Sequence, residues 1–112
     1  MAKYLIRGSY TAAGAAGVLS EGGMGRAAAV QALMRSLDGT LESIYWAFGA
    51  EDFFIIAELP DAAAAAVGSL TIAASGAATV TVTPLLTASD LDDVADRVGS
   101  GSHKVEYRPP GA

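Results

Sequence analysis

The stretch Thr40-Leu41-Glu42-Ser43-Ile44-Tyr45-Trp46-Ala47-Phe48, then Gly49-Ala50-Glu51-Asp52, then Phe53-Phe54-Ile55-Ile56-Ala57-Glu58-Leu59 decides the fold of this 112-residue chain. Both flanks are rich in aromatic and β-branched side chains, which fit the pleated, half-buried surface of a sheet. The linking residues between them predict a β-hairpin.

Upstream of the hairpin, Ala27, Val30, Leu33, Met34 and Leu37 recur at helical spacing, so Arg26 to Leu37 reads as a helix that Asp38-Gly39 stops. Earlier still, Lys3-Tyr4-Leu5-Ile6-Arg7-Gly8-Ser9-Tyr10 reads as a strand, and Thr11 as the cap of a short helix over Ala12 to Leu19. Gly22-Gly23-Met24-Gly25 breaks or bends the chain between the two helical pieces.

Downstream of the hairpin, Pro60-Asp61 opens a helix over 62–75, with Asp61 as N-cap and Gly76 as stop. A strand over 77–86 follows, in which Thr79-Val80-Thr81-Val82-Thr83 alternates cleanly. Thr87 and Asp90 resemble a capping box with Asp in place of Glu, starting a short helix with Leu91, Val94, Ala95 and Val98 on one side. Gly99-Ser100-Gly101-Ser102 is a linker, His103 to Arg108 a late strand, and Pro109-Pro110 its end.

The order β-α-β-β-α-β is the split βαβ unit of the ferredoxin-like plait, an α+β fold. The expectation is one domain over 1–98 with an extra C-terminal helix, and a tail over 99–112 that pairs with another subunit. The sheet is of the antiparallel type with order 4-1-3-2. Right-handed crossovers set the first strand beside the third, parallel to it, and the fourth beside the first. The helices then cover one sheet face.

Strict alternation assigns Tyr4, Ile6, Gly8, Leu41, Tyr45, Ala47, Phe53, Ile55, Ala57, Leu59, Val80 and Val82 to the covered face. The other face takes Leu5, Arg7, Ser9, Glu42, Ile44, Trp46, Phe48, Phe54, Ile56, Glu58 and the threonines Thr79, Thr81 and Thr83. That open face is too apolar to stand in water, and a second copy of the same sheet is the simplest cover. The 52% hydrophobic content is largely alanine, which makes a thin core and points the same way.

The formal charge of −5 disfavours phosphate backbones, and the seven cations form no cluster, so no nucleic-acid partner is expected. No cysteine is present, which excludes disulfides and thiolate metal sites. Met1-Ala2-Lys3 runs into a strand without an apolar signal region, and no stretch is long enough to span a bilayer, so a cytoplasmic location is expected.

Together these stretches resemble the GYD domain family of small bacterial and archaeal proteins. The matching residues are Tyr4 through Thr11, Glu21-Gly22-Gly23, Arg26 through Leu37, Phe48-Gly49, Leu59-Pro60-Asp61, Ala74-Ser75-Gly76 and Thr83 through Thr87, spread over residues 3–96. The Gly-Tyr-Asp motif behind the family name appears here as Gly49-Ala50-Glu51-Asp52, without its tyrosine. The resemblance implies a dimeric α+β barrel type of fold and no settled activity.

Arg7 and Glu58 share the open face, as a neutralising pair or as a polar ligand contact. Trp46, with Phe48 and Phe54, is either interface packing or a pocket wall. Tyr10, at a strand end, packs ordinarily or caps a pocket mouth. Glu21 through Arg26 is either a helix break or, through backbone N–H groups at the next helix start, an anion site; it matches neither phosphate-loop nor dinucleotide fingerprints. His103, the single histidine, is exposed after the linker or reaches the cleft as a general base. Asp90, Asp92, Asp93 and Asp96 suit a solvated helix face, and no metal or cofactor is expected. Ser9, Tyr10 and Thr11 offer hydroxyls without a visible base.

The resulting expectation is a homodimer or higher homo-oligomer that binds a small organic molecule in a cleft on the open face. Its ligand contacts are Arg7, Tyr10, Trp46 and Glu58. One alternative is a cofactor-independent enzyme, monooxygenase- or cyclase-like by fold analogy, with His103 or Glu58 as the catalytic group. A second is a structural subunit whose apolar face is filled by contacts. Whether the chain is an enzyme stays open.

Overall fold

The computed structural model describes residues 1–99 and 105–112. The elements run β1 (Ala2–Tyr10), α1 (Ala12–Ser36), β2 (Thr40–Trp46), β3 (Phe53–Leu59), α2 (Ala62–Ala74), β4 (Ala78–Leu85) and α3 (Ala88–Gly99). One four-stranded sheet has the order β2-β3-β1-β4, the ferredoxin-like arrangement. The β1–β3 contact is antiparallel, not parallel, as are all the pairings. The right-handed crossover makes β1 parallel to β2, and the hairpin reverses β3 between them.

The caps form where short polar side chains meet free backbone donors. Thr11 accepts from Gly14 N–H at 3.2 Å while its own hydroxyl donates to the Gly76 carbonyl at 2.7 Å, tying α1 to the turn before β4. Asp61 accepts from Ala64 N–H at 2.8 Å. Thr87 and Asp90 exchange two side-chain-to-backbone bonds of 2.9 and 3.1 Å, a closed capping box.

The two expected helical pieces form one long element kinked at Gly22, whose φ of 80° and ψ of 167° are non-helical and suit glycine. The buried residues of α1, Val30 and Met34, both follow the kink. They pack with Tyr4, Ile6, Phe53, Ile55, Ala57, Leu59, Ala65 and Ala78 in one core between sheet and helices.

Strand β2 departs from strict alternation. Leu41 pairs with Ala57, but Ser43 pairs with Ile56, so Glu42 is an extra residue in a β-bulge. Because side chains alternate, one extra residue exchanges the faces of everything after it. Ile44 and Trp46 therefore share the helix-covered side with Ile55 and Phe53, and Tyr45 stands beside Phe54 on the open side. Phe48 belongs to neither face; it lies in the turn and is fully exposed.

Helix α3 buries no residue, and no other element packs along it among the described residues. Leu91, Val94 and Val98 stay exposed on it. The radius of gyration, 17.7 Å, exceeds the roughly 13 Å of a compact chain of this length. Val105 to Arg108 form no strand and are exposed. No helix is long and apolar enough to cross a membrane among the described residues.

Candidate functional site

A cavity of about 430 Å3 opens between the sheet and the helices, beneath the kink of α1. Its floor is Tyr10, Ile44, Phe53 and Ile55 of the sheet; Gly14, Gly17, Val18, Val30 and Leu33 of α1 roof it, and Ile72 of α2 with the C-cap Ser75 closes one side. The space exists because α1 meets the sheet layer near Gly14 and again at Val30 and Met34, and is held off between them. A β-carbon on Gly14 would lie 2.0 Å from the Ala77 carbonyl oxygen, so only glycine permits that approach. A β-carbon on Gly17, one turn on, would meet nothing within 4 Å.

Of the expected ligand contacts Arg7, Tyr10, Trp46 and Glu58, Tyr10 lines this cavity. Its ring stacks at a tilt on Phe53, with centroids 5.0 Å apart. The indole N–H of Trp46 donates to its hydroxyl oxygen at 3.1 Å, and its backbone N–H donates to Asp52 Oδ2 at 2.8 Å. Asp52 is held in turn by its own backbone: its N–H donates to Gly8 O at 2.7 Å, and its carbonyl accepts from Ala47 N–H at 3.0 Å. The acidic residue of the Gly49-Ala50-Glu51-Asp52 turn thus fixes the strand end that carries the pocket tyrosine. Sequence reading singled out no role for Asp52; the signal was a carboxylate closing a hairpin next to a strand end.

Besides Tyr10, three polar side chains line the cavity. Arg26 Nη1 donates to Glu21 Oε1 at 3.2 Å, a partly exposed pair. The Ser75 hydroxyl is already occupied, donating to the Ile72 carbonyl at 2.6 Å and accepting from Ala77 N–H at 3.2 Å.

Arg7 and Glu58 lie on the opposite side of the sheet. They do not pair with each other, because Arg7 faces Phe54 in register while Glu58 faces Lys3. Arg7 pairs instead with Glu51 of the hairpin turn at 3.4 Å, and Glu58 with Lys3 at 3.4 Å. Lys3 also bonds Glu42, the bulge residue. That bond is the main cause that holds the Lys3 ammonium above its ordinary pKa of 10.5; desolvation opposes it, and Glu58 adds to the rise. Standing across the sheet, Glu58 has no access to a molecule held in the cavity. His103 lies outside the described residues.

The open face carries Leu5, Phe54 and Ile56 half-buried and Tyr45 70% exposed, ringed by these ion pairs.

Comparison with curated proteins and with solved structures finds no match. Comparison with family models finds the GYD domain over residues 4–95, which spans all four strands, α1, α2 and most of α3. On that match the chain belongs to the GYD domain family.

Proposed function

We propose that this chain is a small-molecule-binding protein whose ligand occupies the cavity between the sheet and α1. The observation that carries the reading is a mostly apolar space of about 430 Å3, walled by the sheet, α1 and α2. Its size falls within the range of small-ligand pockets. Tyr10, braced by Trp46 and Asp52, supplies a polar point on an otherwise apolar floor. Its hydroxyl accepts from Trp46, and its own proton is free to donate to a guest.

Filling the space tests this. Gly17→Leu places a side chain where a β-carbon meets nothing, and leucine favours a helix interior over glycine by about 1 kcal/mol. The variant should fold at least as stably as wild type and lose binding of 1-octanol and 2-phenylethanol in calorimetry. Wild-type protein that binds neither alcohol, or a Gly17→Leu variant that binds both unchanged, would refute a ligand in this cavity.

The same reading has the open face covered by a second copy, because Tyr45, Phe54 and Ile56 form an apolar strip that stays partly exposed among the described residues. A monomer by analytical ultracentrifugation at micromolar concentration would remove that part of it.

A further inference from the structure

We infer that the ligand carries a carboxylate, bound by Arg26 after Glu21 is displaced from it. This rests on the cavity reading above and specifies the class of guest.

Glu21, Arg26 and Tyr10 are the ionisable side chains that line the cavity among the described residues. The Glu21–Arg26 contact engages one guanidinium nitrogen and one carboxylate oxygen. Arginine presents five donors in a planar fork that suits a bidentate carboxylate, so a single contact leaves most of that capacity unused. Glu21 reaches Arg26 by folding back across Gly25, where a β-carbon would stand 2.8 Å from Glu21 Cγ. The internal carboxylate occupies the position that an incoming one would take.

Which member of the pair moves follows from the backbone. Arg26 lies after the kink, on the half of α1 that Val30 and Met34 anchor in the core. Glu21 lies before it, next to Gly22, on a half that buries no residue. Glu21 is therefore the partner that yields, and Arg26 the fixed one. An amine displacing Arg26 to reach Glu21 would have to move the anchored half of the helix.

The test compares octanoate, 1-octanol and octylamine on the full chain by calorimetry, with Trp46 fluorescence as a second readout. Octanoate should bind about tenfold more tightly than octanol, as a charge-assisted bond at a partly exposed site allows. Glu21→Gln should raise octanoate affinity several-fold and leave octanol unchanged. Arg26→Gln should abolish the preference while octanol still binds. Octanol and octanoate binding equally, with Arg26→Gln silent, overturns the inference and leaves the cavity reading standing. Octylamine binding more tightly than octanoate also overturns it. No probe binding at all removes both. Both substitutions are at solvent-accessible positions, and thermal unfolding of each variant checks that lost affinity is not lost fold.

Discussion

Asp52→Ala isolates one interaction, because alanine keeps both backbone bonds of the residue and removes only the carboxylate that accepts from Tyr10 N–H. A hydrogen bond to a charged group contributes about 1.5–3 kcal/mol. Asp52 and Tyr10 are half-buried, so water partly replaces the lost acceptor, and the expected loss is about 1–2 kcal/mol. That is a sizeable share of the roughly 5–15 kcal/mol that holds a domain folded. In urea it corresponds to a midpoint lower by about 1 M, and in a thermal scan to a fall of about 4–8 °C. Trp46 is the single tryptophan and hydrogen-bonds to Tyr10, so its emission reports unfolding and the local change alike. Asp52→Asn retains an acceptor oxygen and should lose less than half as much. The native-state emission of Asp52→Ala should also shift, since Tyr10 loses its anchor. An Asp52→Ala midpoint equal to wild type would refute the claim that this turn braces the pocket tyrosine.

Gly14→Ala sets two effects against each other. Helix propensity favours alanine by about 1 kcal/mol, but the new β-carbon meets the Ala77 oxygen at 2.0 Å. Backbone cannot yield cheaply there, so the variant should be less stable by about 2 kcal/mol or more in urea unfolding, and a stabilised variant would show that α1 is not pinned to β4. Lys3 gives a pH signature. Its pKa is raised in the folded chain, so its contribution is complete below 10.5 and is lost as pH rises through the higher folded value. Unfolding midpoints of wild type and Lys3→Met should therefore keep a constant difference up to that pH and converge above it. A difference that changes between pH 6 and 9 would contradict the assignment to Lys3.

The element order was legible because its signals are local. Thr11, Asp61 and the Thr87–Asp90 box each bond within a few residues of themselves, so neighbouring sequence carries the whole message. The Asp38-Gly39 stop is equally local, with Gly39 N–H donating to the Met34 carbonyl at 2.9 Å. The face assignment of late β2 was not legible, because a bulge is set by pairing with β3 and no residue near Glu42 marks it. Trp46 consequently sits on the side opposite to the one strict alternation assigns. Arg7 and Glu58 were correctly placed on one face, yet they lie four residues out of register, which only the strand pairing reveals. The cavity was the least legible feature, since it arises from where glycines let α1 touch the sheet and where they do not. Tyr10 was found from its place at a strand end. Glu21 and Arg26 were noticed as a glycine-rich break, but their relation to the cavity depends on the angle of the kink.

The kink at Gly22 divides α1 unequally, and the division bears on how the ligand proposed above would come and go. All the side chains of that helix that are locked into the core follow it, while Ala13, Gly17 and Val18, which overhang the cavity, precede it. The overhanging segment can fray without disturbing Val30 or Met34, and short helical segments relax in about a microsecond or less. For the proposed ligand, exchange would then be uncoupled from global unfolding, its rate set by the turns of α1 between the Thr11 and Gly14 attachment and the kink.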